Sequence, residues 1–115
     1  NPSRLTWERF FIMSVVVPHT IELVTFRLQK GDTEGFVDAN AAINDWLKRQ
    51  PGFVSRHLAE RDDGTYLDIV FWQSHADALA ASAKMMEEMA QSEAMTMIDP
   101  MGLDMSHGTI RLSVD

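Results

Sequence analysis

Pro51-Gly52-Phe53-Val54-Ser55, the turn Asp62-Asp63-Gly64, and the run Thr65-Tyr66-Leu67-Asp68-Ile69-Val70-Phe71-Trp72-Gln73-Ser74-His75 decide the fold. Proline lacks the N–H that a helix needs and glycine tolerates a left-handed backbone, so Pro51-Gly52 predicts a helix stop. Asp63-Gly64 is a hairpin signal between two runs of strand character. The second run, Thr65 to Trp72, is rich in β-branched and aromatic side chains and predicts the best strand in the chain. Ser74, followed by Asp77, then predicts the start of a new helix. A hairpin with a helix on either side predicts a small α+β sandwich. Trp72 falls where sheet passes into helix, which is where such a layout places a pocket.

Upstream, Ile21 to Leu28 is apolar on both of its alternating faces and predicts a strand covered on two sides. Asp32 predicts an N-cap, and Phe36, Ala39, Ile43, Trp46 and Leu47 recur at the spacing of one amphipathic helix. Phe53 to Arg61 has strand character, with Arg56 and Glu60 on the face of Val54 and Leu58, a mark of an edge strand. In the helix after Ser74, the residues Leu79, Ala83, Met86 and Ala90 are expected to form the packed stripe. That helix should bend near Ser92, continue through Met97 and end by Asp99-Pro100. A last strand is expected over Thr109 to Val114, with a start as early as Leu103.

The order strand, helix, strand, strand, helix, strand is the split βαβ arrangement of a ferredoxin-like fold with an antiparallel sheet. Two helices cover only one face of a four-stranded sheet, yet the first and third strands are apolar on both. Covering roughly 500 Å² of that second face would yield on the order of 12 kcal/mol before association costs, which predicts a homodimer packed sheet against sheet.

The chain has 115 residues, a formal net charge of −7 and no cysteine. This length predicts one domain. The acidic balance and scattered Lys and Arg argue against nucleic acid and anionic membranes as partners. The missing cysteines exclude disulfides, thiolate metal sites and a Cys nucleophile, and fit a cytoplasmic location. Phe10 to Val17 is apolar but far too short to span a bilayer, and Pro18 ends it. Residues 1–19 are read as an N-terminal arm or extension, or leader sequence upstream of Met13, and residues 20–115 as the folded domain.

Trp46-Leu47, Pro51-Gly52-Phe53-Val54-Ser55, Asp63-Gly64 and Phe71-Trp72-Gln73-Ser74 before an alanine-rich helix together carry a family resemblance. Over about residues 20 to 114 the chain resembles the antibiotic biosynthesis monooxygenase superfamily, whose members are dimeric α+β barrels. The resemblance implies a cofactor-independent monooxygenase-like protein acting on a planar aromatic molecule of phenol or quinol type, without flavin, haem or metal. A phenol deprotonated in a dry pocket is electron-rich enough to react with oxygen itself. Trp72 matches the tryptophan of that subgroup, Asp68 stands in place of its asparagine, Ala78 in place of its tyrosine and Ala59 in place of its histidine. A haem-degrading branch needs an axial histidine on the second helix and an asparagine on the first strand. Neither Lys84 to Pro100 nor Ile21 to Leu28 supplies one, so neither haem nor another cofactor is expected.

Trp72 is the candidate stacking platform, against the alternative of a core aromatic that pins helix to sheet. Asp68 lies mid-strand among apolar residues, so it must be paired, hydrogen-bonded or shifted in pKa. It is either a proton acceptor for a bound phenol or the partner of Arg56 or Arg111. His57 and His107 are auxiliary acid–base candidates. Tyr66, Phe26 and Met86 are candidate substrate contacts, and the methionine-rich run Met85 to Met105 is either a compliant pocket wall or ordinary core. The histidines are isolated in sequence, so no metal is expected. Two functions stay open: an oxygenase acting on a small apolar or aromatic ligand, and a non-catalytic dimeric binding or structural domain.

Overall fold

The computed structural model describes residues 17–115. The N-terminal arm lies outside them except for Val17 to His19. Strand β1 (Thr20–Leu28) leads into α1 (Thr33–Ala39) and α2 (Ala41–Lys48), then β2 (Phe53–Glu60), β3 (Tyr66–Trp72), α3 (His75–Glu88), α4 (Glu93–Met97) and β4 (Ile98–Thr109). The four strands form one antiparallel sheet in the order β2-β3-β1-β4. This is the ferredoxin-like arrangement, with β2 at an edge as its charged residues predict.

The local devices act as the residue types dictate. Asp32 accepts a hydrogen bond from the Gly35 N–H at 2.8 Å, and Ser74 accepts one from the Asp77 N–H at 3.0 Å, so both helical stretches start on side-chain caps. At Gly52 φ is +81°, and a Cβ there would lie 2.1 Å from Asp77 Oδ2. Only glycine allows both the turn and this approach of α3, while the Gly52 carbonyl accepts the Gln73 N–H at 2.8 Å.

Helices and sheet enclose a core that includes Phe26, Phe36, Trp46, Val70 and Trp72. Tyr66 stacks on Phe26, and Phe36 meets both edge-on, each pair at 5.6 Å between centroids. Trp46 donates its Nε1–H to Glu88 at 3.1 Å, tying α2 to α3.

Three expectations are corrected. The first helix is divided at Asn40, whose side-chain amide donates to the Phe36 carbonyl at 2.8 Å and so competes with the helical ladder. On α3 the packed stripe is Ala78 and Ala81 backed by Met85 and Met89, while Leu79 and Met86 are exposed. Small alanines let the helix lie close to the sheet, which sets its rotation in place of the larger side chains. The last strand runs over Ile98–Thr109, not Thr109 to Val114; Leu112 and Val114 are exposed. Pro100 is tolerated because β4 is an edge strand and bulges there: Arg27 faces Asp99, whereas Thr25 faces Asp104.

Candidate functional site: a cavity with a polar floor

Strand register assembles the site in rows on the helix-facing side of the sheet. Arg56, Val70, Glu22 and His107 lie side by side across the four strands. Phe53, Trp72, Thr20 and Thr109 form a neighbouring row. Flanking the first row in the other direction, on the same face, lie Leu58, Asp68, Val24 and Met105. Side chains of cross-strand partners share a face, so this register brings four ionisable groups and one indole together.

Above these rows is a cavity of about 300 Å³, roofed by residues of all four helices. Its walls are apolar: Val24, Phe26, Ile43, Trp46, Trp72 and Met85 are among them. Glu22, Asp68, Arg56 and Asn40 supply the polar floor. Met86, Leu103 and Met105 line the cavity and are also exposed, which makes them its mouth. An apolar chamber with a few convergent polar groups is the common form of a small-molecule site.

Asp68 is held by Arg56 through a fork, with Nε 3.0 Å from Oδ1 and Nη2 2.7 Å from Oδ2. The same guanidinium donates to Asn40 and Asn44 at 2.8 Å each. Both oxygens of Asp68 are thus engaged by a fixed cation, the Arg56 pairing that was one of the two expectations for it.

Glu22 is the other carboxyl on the floor, and it differs. It is 9% exposed, and its Oε1 lies 3.0 Å from His107 Nε2. Burial raises its pKa above the ordinary carboxylate value, and nearby Asp68 adds to the rise; the His107 hydrogen bond and charge, with Arg56, oppose it. A carboxyl so placed can accept a proton from a ligand and hold it. Sequence reasoning missed Glu22 because β1 was read as apolar on both faces. The available signal was the one that singled out Asp68, a lone carboxylate alternating in phase with Val24 and Phe26.

Trp72 is 1% exposed, and its Nε1–H finds no acceptor among the described residues. Its ring meets Phe53 edge-on at 5.9 Å, so it pins the hairpin and lines the cavity at once. Phe26 and Met86 line the cavity as well. His107 reaches the site only through Glu22. Tyr66 is buried outside the lining, its hydroxyl bonded to Thr33 Oγ1 at 2.5 Å. His57 belongs to the opposite face of the sheet, exposed and edge-on to Phe71 at 6.1 Å. Among the described residues no three His, Asp or Glu side chains gather as a metal site would require. No helix among them is long and apolar enough to cross a membrane.

No protein-family model matches the chain, and a comparison with curated proteins finds no match. Solved structures do match. SnoaB, a cofactor-independent oxygenase from Streptomyces nogalater, superposes with a TM-score of 0.67 at 20% identity, over 85% of this chain and 98% of its own. A Bordetella bronchiseptica protein provisionally described as an antibiotic biosynthesis monooxygenase gives 0.67 at 15% identity, over 84% of this chain and 100% of its own. The chain shares the ferredoxin-like α+β fold of these proteins. The heme-degrader MhuD of Mycobacterium tuberculosis, solved with two hemes in its active site, gives the same TM-score at 17% identity, over 84% of this chain and 99% of its own. One fold thus hosts different chemistries, and the side chains on the cavity floor carry the functional argument.

Proposed function

We propose that the chain is a cofactor-independent monooxygenase-like enzyme that takes a planar phenol- or quinol-type molecule into the cavity. The observation that carries this is the buried carboxyl of Glu22 on the polar floor of an apolar-walled chamber that the Trp72 ring also lines. Glu22 removes the phenolic proton, and Trp72 stacks on the ring or donates to its oxygen. The resulting anion is rich enough in electrons to reduce O₂. For an anthrone-type CH₂ group, one oxygen atom replaces the two hydrogens as a carbonyl and the other leaves as water, so carbon loses the four electrons that O₂ gains. The dry walls protect the anion from bulk water until it reacts.

The chain is further proposed to work as a homodimer. Ile21, Leu23, Leu67, Ile69 and Phe71 lie on the sheet face that no helix among the described residues covers, and a second copy would bury them.

A second reading has one specific observation in its favour. Arg56 binds Asp68 and so occupies the residue standing where related oxygenases carry a polar group of the site, which suits a non-catalytic binding domain. Oxygen uptake with a panel of hydroquinones and anthrones separates the two. The oxygenase reading predicts uptake above the spontaneous rate and a loss of roughly 100-fold in Glu22→Gln, the scale of a missing general base. Uptake at the spontaneous rate across the panel, with ligands still bound, establishes the binding domain instead.

A further inference from the structure

Glu22 is mostly buried, so a proton it collects needs a way out. The adjoining groups are arranged in sequence toward the surface. His107, directly opposite Glu22 in the β1–β4 register, meets its Oε1 at 3.0 Å through Nε2. Its side chain is 15% exposed. Beyond it lies His75 in the first turn of α3, with ring centroids 5.5 Å apart and planes perpendicular, and His75 is exposed. The other charged groups at Glu22 are Asp68 of β3 and Arg56 of β2, which are locked to each other and do not lead outward.

We infer that His107 is the proton exit of the cavity, connecting Glu22 to solvent on the side of His75. This rests on Glu22 being the proton acceptor. The transfer balances without any added group: protonated Glu22 gives its proton to Nε2 of neutral His107, and the ring releases its Nδ1 proton to water beside His75. Glu22 is then a carboxylate again, and the ring is neutral in its other tautomer. His107 touches Glu22 and not the ligand, so it is a positioning residue whose contribution is proton traffic. Imidazole suits this because it accepts at one nitrogen while donating at the other.

The experiment is a carboxyl-carbon NMR titration of the full chain, selectively labelled at glutamate, which needs no substrate. His107→Gln keeps a hydrogen-bonding amide beside Glu22 but cannot relay a proton. Its expected result is a Glu22 titration displaced to higher pH, because a neutral amide replaces the imidazole whose charge favours the carboxylate, together with proton exchange at least roughly tenfold slower, seen as line broadening near the midpoint. His75→Gln, a surface change that leaves the fold intact, is expected to slow exchange by about threefold without moving the midpoint. Equal exchange rates at Glu22 in the wild type and His107→Gln would overturn the proton exit. Where turnover is measurable, imidazole buffer should restore the kcat of His107→Gln with KM unchanged. Absence of turnover in the wild type contradicts the oxygenase reading alone, and the titration still decides the exit.

Discussion

Replacing Arg56 by methionine is the most revealing perturbation, because it separates what Asp68 does for the fold from what it does for chemistry. The guanidinium makes four hydrogen bonds: two to Asp68, one to Asn40 and one to Asn44. Its side chain is 10% exposed and that of Asp68 17%, so water cannot readily replace it. Removing one partner of such a pair leaves an uncompensated carboxylate, at about 3 kcal/mol. Orphaning the buried Asn40 oxygen adds about 1 kcal/mol. The total, about 4 kcal/mol, would lower the urea midpoint by about 2.7 M for a slope of about 1.5 kcal/mol/M. Arg56→Met with Asp68→Leu removes the stranded charge along with its partner and should return to within about 1 kcal/mol of the wild type. Urea denaturation of the two single variants and the double variant forms a complete cycle. A loss below about 1 kcal/mol in Arg56→Met would refute the pair as a structural element. So would a double variant as unstable as that single one.

Other outcomes follow from particular contacts. Glu22→Gln should stabilise the protein at neutral pH: a carboxyl whose folded pKa lies above its ordinary 4.5 has no effect below that pH and costs stability as pH rises through the folded value. Urea titrations at acid and neutral pH should therefore show the two proteins converging in acid and the variant more stable near neutrality; parallel behaviour at both would contradict burial of the charge. Gly52→Ala should destabilise by at least about 2 kcal/mol, since its Cβ would strike the Asp77 carboxylate at a residue with positive φ; thermal melting within about 2 °C of wild type would oppose this. Leu23→Asp with Ile69→Asp should abolish the proposed homodimer, so that light scattering reports one-chain mass where the wild type reports two.

Much of the architecture was legible because turn and cap chemistry acts locally. Pro51-Gly52, Asp63-Gly64, Asp32 and Ser74 each impose their geometry with little help from distant residues, and the strand and helix order follows from them. What failed depended on tertiary packing. The rotation of α3 is set by how closely Ala78 and Ala81 approach the sheet, and β4 starts early because its bulge around Pro100 is matched to β1. The site was half legible for the same reason. Asp68 and Trp72 stand out within one strand, so both drew notice, and both line the cavity. Glu22 and His107 are 85 positions apart in the chain and become neighbours only through the register of β1 on β4. His57 has the right chemistry, but the pleat turns it to the far face of the sheet, which a bulge between Phe53 and Ser55 helps to fix.

Glu22 is proposed to take a proton from a phenol held in the cavity, and the absorption spectrum of a bound nitrophenol measures this directly. A nitrophenol reports its own ionisation by colour near neutral pH. At a pH where the free probe is mainly protonated, the wild-type complex should show the phenolate band, whereas the Glu22→Gln complex should show the neutral phenol. Identical spectra for the two complexes would show that Glu22 does not take the proton.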